Sequence, residues 1–246
     1  MLLTKLIPPK SEQIKEALNV FNRFLEEPHE DKNERLEILI EGGRGSGKSS
    51  IAGGMILKAN QERGDSGICI RKTTADSVKW SMDQVEWCAY TLGKSRDEYS
   101  ISYQNKTIGL INSSSKIYFR GIDDGCRILG DKIRGIPNRR YVWIEEAEEL
   151  SSESEYRELI DSLLLRENPI IILTYNPHNN RNHWLNRYAS EIIEHNGRDN
   201  RWVFRPCYLN MEEKMLGKDF FRQADMLRVI NPRAYAHEYL GIPMEG

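Results

Sequence analysis

The sequence predicts an α/β fold: a mainly parallel β-sheet flanked by helices, with an inserted β-hairpin or meander. Three observations predict it. From Leu36 onward, short apolar runs alternate with amphipathic stretches, the pattern of a parallel sheet covered on both faces. Polar, motif-like residues gather where three of those runs end: after Ile40, at Glu145 and Glu146, and at Thr174 to Pro177. Open sheets of this kind bind ligands at the carboxyl ends of their strands. One stretch, "SISYQNKTIGLINSSSKIYFRG", breaks the alternation with several short β runs joined by turn residues at Gln104-Asn105 and Asn112-Ser113.

Taken in order, Ser11 to Glu27 reads as a polar helix, and the proline and charges of "EEPHEDKNE" end it in a loop. "LEILIE" is a strand, Lys48 to Gln61 a helix and "GICIRK" a second strand. A long helix follows, with Thr74 as its N-cap and Gly93 as its stop. Trp80, Trp87 and Tyr90 recur on it at near-helical spacing, which predicts core packing rather than base stacking. After the meander come a strand in "RRYVWIEEA", a helix from Ser154 to Leu165, a strand in "NPIIILTYNP" and a helix from His183 to His195. "RWVFRPCYL" is the last strand, and Lys218 to Val229 and Pro232 to Tyr239 are two closing helices. Residues 1–35 read as an N-terminal helical extension and 36–246 as the main domain.

The chain has 246 residues, 39% hydrophobic and 29% charged, enough for a sizeable core without covalent staples. A net charge of −2 gives no overall basic field, so any nucleic-acid contact has to be local or transient. Cys69, Cys88, Cys126 and Cys207 form no CxxC pair and no zinc spacing, and read as reduced thiols of a cytosolic protein. The opening "MLLTKLIPPKSEQ" lacks the apolar core of a signal peptide, and no apolar run is long enough for a bilayer, so no membrane role is expected. The five histidines show no metal spacing, and His178 and His183 suit capping or surface roles. Asp123-Asp124 reads as a turn.

"GGRGSGKS", residues 42–49, fits G-x-x-x-x-G-K-[ST] between a strand and a helix, the context a phosphate-binding loop requires. Glycines let backbone N–H groups close on phosphate oxygens, and the following helix offers its positive end. Gly42, Gly43, Arg44, Gly45, Ser46, Gly47, Lys48, Ser49 and Ser50 are therefore the candidate ATP-phosphate contacts. Lys48 would reach the β- and γ-phosphates and Ser49 would ligate Mg²⁺. At the end of "YVWIEE", Glu145 suits the acid on the Mg²⁺ side and Glu146 the carboxylate that orients or deprotonates the attacking water. Read instead as an acidic helix start, the same run would merely favour the helix dipole, which fits Glu148 and Glu149 better than the two glutamates at the strand end. Thr174 and Asn176, ending "IIILTYN", are placed to sense γ-phosphate or simply to turn the chain.

In order along the chain, "GGRGSGKSS", "ICIRKTTADSV", "IYFRGIDDGCRILGDKIRG", "YVWIEEAEELS", "LLLRENPIIILTYNP" and "NPRAYAHEYLGIPMEG" resemble the ATPase domain of tailed-bacteriophage large terminases, the DNA-packaging motor proteins. The resemblance covers most of the chain from about Leu36. It implies a P-loop NTPase of the ASCE (RecA-like) type that hydrolyses ATP with Mg²⁺ to drive double-stranded DNA into a procapsid in the host cytoplasm. The implied partners are the portal protein, the small terminase subunit and further copies of the chain in a ring. Carried over, Lys48 and Ser49 contact phosphate and metal, Glu145 is the Mg²⁺-side acid, Glu146 is catalytic, and Thr174 and Asn176 fall on the coupling motif. The family adds a C-terminal metal-dependent nuclease; the sequence stops at Gly246, about where that would begin, and no nuclease activity is expected of it.

Arg44 is expected to touch γ-phosphate in cis during turnover, or else to pair with a carboxylate such as Glu146. Arg120, Arg127, Arg134 and Arg166 are candidates for an arginine acting in trans, though each reads first as a solvated charge. Arg198, Arg201, Arg205 and "PNRR", residues 137–140, are candidate DNA-backbone contacts against the same plain reading. Two other functions fit the loop alone. A small-molecule kinase would need an acceptor site instead of a water-activating glutamate, and Glu146 argues against it. A nucleotide-dependent switch would bind ATP with little hydrolysis.

Overall fold

The computed structural model describes residues 3–6, 11–27, 34–72, 75–111, 113–122, 135, 136, 138–163 and 167–244. Thr74, Asn112, Asp123, Asp124, Cys126, Arg127, Arg134, Pro137 and Arg166 lie outside them. Eight strands form one sheet in the order β3-β4-β5-β2-β6-β7-β1-β8. They are β1 (Leu36–Glu41), β2 (Ser66–Arg71), β3 (Tyr99–Ser102), β4 (Thr107–Leu110), β5 (Lys116–Gly121), β6 (Arg139–Glu145), β7 (Ile170–Tyr175) and β8 (Arg201–Phe204). All pairings are parallel except β3 with β4 and β4 with β5. The mainly parallel sheet and its antiparallel meander therefore match the sequence expectation.

Strand alternation sorts the side chains into two cores. Ile38, Ile40, Tyr141, Trp143, Ile170 and Ile172 face α1 (Glu12–Glu26), α2 (Lys48–Arg63) and α3 (Ala75–Thr91). Leu39, Val142, Ile144, Ile171 and Leu173 face α4 (Glu153–Leu163) and α5 (Trp184–His195). Every residue of β1 and β7 is buried, as strands covered on both faces must be. The same parity carries a functional consequence: Glu145 follows Tyr141 and Trp143, and Thr174 follows Ile170 and Ile172, so both point to the α2 side.

A third, aromatic cluster holds the C-terminal layer together. It joins Tyr208, Tyr235, Tyr239 and Phe220 of α6 (Glu213–Leu216), α7 (Lys218–Ile230), α8 (Pro232–Glu238) and the segments beside them. Most helix ends fall within two residues of the sequence expectation. The last strand is shorter than expected. It stops at Phe204 because the Arg205 N–H turns to the Gln13 side chain at 2.9 Å and Pro206 has no N–H to continue the ladder.

The aromatic residues of α3 correct the sequence reading. Val78, Met82, Val85 and Cys88 form its buried stripe, and Trp80, Trp87 and Tyr90 stand on the solvent side, 72%, 42% and 78% exposed. Two helical stripes coexist in this stretch, and the aliphatic one, smaller and closer to the sheet, took the core. Gly93, with φ of 81°, ends the helix as expected.

Candidate nucleotide site

The loop after β1 turns into α2 through Gly47, whose φ of 82° only glycine adopts without strain. Gly43 is fixed by crowding, since a Cβ there would lie 2.5 Å from the Tyr239 carbonyl oxygen. Lys48 curls back across the loop: its ammonium donates to the Gly43 carbonyl at 3.3 Å and to Asn176 Oδ1 at 2.9 Å. Burial pushes the Lys48 pKa down, against the pull of Glu145, Glu148 and Glu146. Those three carboxylates make a negative surround that a cation or the lysine itself must balance.

Ser49 Oγ donates to Glu145 Oε1 at 2.7 Å, joining α2 to the end of β6. The other oxygen of Glu145 accepts from Thr174 Oγ1, and Thr174 Oγ1 in turn accepts from Trp143 Nε1 at 2.9 Å. Register explains this chain, because Glu145 lies directly opposite Thr174 in the β6–β7 ladder. Burial raises the Glu145 pKa, while the Thr174 and Ser49 hydroxyls and Lys48 oppose the rise. A hydroxyl and a hard carboxylate oxygen meeting at the first turn of the loop helix are a fitting donor set for Mg²⁺.

Glu146 leaves the strand with φ of 54° and ψ of 52°, a left-handed conformation that costs a non-glycine residue about 1–3 kcal/mol. That kink turns its carboxylate away from the sheet to an ion pair with Arg71, the last residue of neighbouring β2. A cavity of about 420 Å³ opens there, lined by Ser49, Arg71, Trp80, Ser81, Gln84, Glu145 and Glu146. Glu145, Glu146 and Arg71 thus share one wall of this cavity.

Arg44 does not pair with Glu146, whose carboxylate goes to Arg71. Its N–H donates to the Glu238 carbonyl at 2.7 Å, and its exposed guanidinium lies 5.9 Å from the Tyr239 ring centre. Ser50 faces α3, where its hydroxyl accepts from Gln84 Nε2 at 3.2 Å. Gly42 and Gly45 are pressed by the C-terminal layer, through the Pro206 carbonyl and the Phe220 ring. Ser46 is buried inside the loop.

Sequence reasoning missed two side chains. Arg71 lies in "ICIRKTTADSV", one of the segments that carry the family resemblance, but was given no role there. Glu148, read as a helix-start charge, instead accepts the Asn176 N–H at 3.1 Å and ties the acidic turn to the end of β7. Burial raises its pKa to about 7. No spacing signals this, because Glu145 ends the strand, Glu146 is left-handed and the short helical turn that carries Glu148 begins only at Ala147.

Of the candidate DNA-contact arginines, Arg198 is exposed and the others are held within the fold. Arg201 pairs with Asp199 and Glu191, Arg205 with Glu41 at 2.8 Å, and Arg140 with Asp65 at 3.5 Å, while Arg139 is buried. Arg120 donates to backbone carbonyls of its own meander. His178 and His183 cap: each Nδ1 accepts a backbone N–H two residues on, and their rings stack at 4.1 Å. No helix among the described residues is long and apolar enough to cross a membrane.

A family model described as phage terminase large subunit matches residues 33–242. The large terminase subunit of Bacillus phage SPP1 is 27% identical over 221 residues, covering 85% of this chain and 49% of that protein. The chain therefore spans about half the length of that curated relative. Among solved structures, the large terminase of a thermophilic bacteriophage superposes with a TM-score of 0.68 at 15% identity, over 95% of this chain and 53% of its own. The large terminase ATPase domain of Thermus phage P74-26 gives 0.53 at 16%, over 89% and 95%. At such identities the structural likeness is one of fold: a P-loop sheet of the RecA-like kind.

Proposed function

The chain belongs to the phage terminase large subunit family, and on that premise we propose that it is the ATPase motor part of such a subunit. It hydrolyses ATP with Mg²⁺ to move double-stranded DNA into a procapsid in the host cytoplasm. It works there as one subunit of a ring, with the portal protein and the small terminase subunit as partners. We read residues 1–35 as a helical extension and 36–246 as the ATPase domain, and assign no nuclease chemistry to these residues. The thermophilic-bacteriophage terminase of the same fold has been solved with ADP and with ATP-γ-S, which supports the choice of nucleotide.

The observation that carries the reading is the junction of loop and strand ends: Ser49 on Glu145 at 2.7 Å beside Lys48 on Asn176 at 2.9 Å. Loop N–H groups and Lys48 hold the phosphates. Ser49 and Glu145 would hold Mg²⁺, which when bound neutralises charge on the β- and γ-oxygens. Glu146 takes a proton from water as the water oxygen bonds to the γ-phosphorus, and the bond to the β–γ bridging oxygen breaks. Arg71 positions Glu146 through their ion pair. Phosphate competes with Asn176 for Lys48, so nucleotide arrival frees the Asn176 side chain. Its backbone stays tied to Glu148, which makes the end of β7 the element that registers occupancy. Arg44 is assigned to nucleotide sensing or transfer from the edge of the loop.

The test is ATP turnover by the chain at rising protein concentration, with and without double-stranded DNA. Turnover that rises with both supports the motor. Phosphate appearing on a metabolite instead of in solution refutes it in favour of a kinase.

A further inference from the structure

A hydroxyl interrupts the buried stripe of α3. Val78, Met82, Val85 and Cys88 face the sheet, and Ser81, 3% exposed, falls among them at helical spacing. Its Oγ makes no hydrogen bond, not even back to the preceding helical turn, and the Cys69 thiol beside it is too weak a partner to satisfy it. A buried unpaired hydroxyl is destabilising, so alanine would suit the packing better. One turn along, Gln84 Nε2 donates to Ser50 Oγ at 3.2 Å, and among the described residues Gln84 Oε1 accepts no hydrogen bond. Both residues line the cavity of about 420 Å³ that Ser49 and Glu145 border.

We infer that Ser81 and Gln84 complete the divalent-cation site from the α3 side, by accepting hydrogen bonds from the waters of a cation held on Ser49 and Glu145. The inference rests on the reading of this junction as a Mg²⁺–ATP site, and adds to it an element outside the loop and the acidic strand end. Mg²⁺ is octahedral and gives up water reluctantly, so protein oxygens and phosphates leave part of its sphere to water. Water on a cation is a strong donor and needs acceptors around it. The rest of the cavity offers few. Arg71 and Trp80 carry only donors, and Glu146 is engaged by Arg71. Ser81 Oγ and Gln84 Oε1 are the uncharged acceptors left among the lining residues. Rotation about its Cα–Cβ bond carries the Ser81 hydroxyl between staggered positions, which lets it turn to a water in the cavity. The ion, not the core, then explains a polar residue in an apolar stripe, a local rule broken for function. The same waters would tie α3 to the loop helix, which Gln84 and Ser50 already join.

Mn²⁺, standing in for Mg²⁺, is titrated into the full chain holding ADP, and its binding is read by electron paramagnetic resonance. Ser81→Ala and Gln84→Met should each weaken Mn²⁺ binding by about tenfold, the usual effect of losing a group that holds a metal's ligand in place. Ser81→Thr keeps the hydroxyl and should bind Mn²⁺ more tightly than Ser81→Ala. Urea unfolding without nucleotide or metal separates this from a loss of fold: the Ser81→Ala midpoint should equal or exceed the parent's, since the variant sheds an unpaired hydroxyl. A Ser81→Ala midpoint well below the parent's makes Ser81 a packing residue and overturns the inference. Parent-like Mn²⁺ affinity in both variants also overturns it, and loss of the ion by Ser49→Ala in the same experiment would leave the ATP site standing. A parent that binds no Mn²⁺ with ADP overturns the inference and the reading beneath it together.

Discussion

Replacing Glu148 by Gln should stabilise the nucleotide-free protein at alkaline pH. Burial raises this carboxyl from 4.5 to about 7. Between those values the native state holds a proton that the unfolded chain has released, so stability falls as pH rises through the window and stays low above it. At about 1.4 kcal/mol per pKa unit, keeping the charge in place costs on the order of 3 kcal/mol at pH 8. Gln keeps an acceptor for the Asn176 N–H but buries an amide N–H₂, at a cost of about 1 kcal/mol. The net gain is about 2 kcal/mol, roughly 4–8 °C in Tm for a chain of this size. Thermal unfolding of both proteins from pH 4.5 to pH 8, without nucleotide, measures it. The Tm gap should open across the window and close towards its acid end. A variant no more stable than the parent at pH 8, or a gap independent of pH, would refute the placement of Glu148 in the buried acidic turn.

Arg71→Ala should lower kcat about tenfold with KM changed less than about twofold, since it loosens the base without touching phosphate, and Arg71→Lys should recover part of the loss. A rise in KM at unchanged kcat would make Arg71 a substrate contact instead. Thr174→Val strips the buried Trp143 Nε1–H and Glu145 of a shared partner and should cost about 1–3 kcal/mol in urea unfolding; an unchanged midpoint rejects the network. Arg44→Ala should depress turnover at least about tenfold while ATP affinity falls less than about threefold, as fits a group acting on the transferring phosphate. Equal turnover by the two proteins would leave Arg44 a surface contact of Tyr239.

Much of the site was legible because its parts obey local rules. The glycine-lysine-serine loop needs no tertiary information, and alternation along "YVWIEE" and "IIILTY" already sends Glu145 and Thr174 to one face. The Ser49–Glu145 and Lys48–Asn176 contacts follow once β1, β6 and β7 are neighbours. What stayed hidden depends on sheet order. Arg71 meets Glu146 only because β2 lies beside β6, and sequence spacing carries no trace of that. The role of Glu148 depends on a turn after the strand rather than a helix dipole. The α3 aromatics misled for a different reason: spacing shows that residues share a face, not which face the sheet will cover. The carboxylate partner that chemistry offered Arg44 is taken by Arg71, and the Arg44 guanidinium lies instead near Tyr239, supplied by a C-terminal layer far away in sequence.

The central claim is that this junction binds ATP and that Glu146 activates the water that cleaves it. Phosphate release by the unaltered chain and by Glu146→Gln, with ATP binding measured on the same samples, tests it most directly. The account predicts similar ATP affinity for both and turnover lower by about 10²–10⁴ in the variant, the usual contribution of a positioned base. Equal turnover, or an unaltered chain that does not bind ATP in the presence of Mg²⁺, would contradict it.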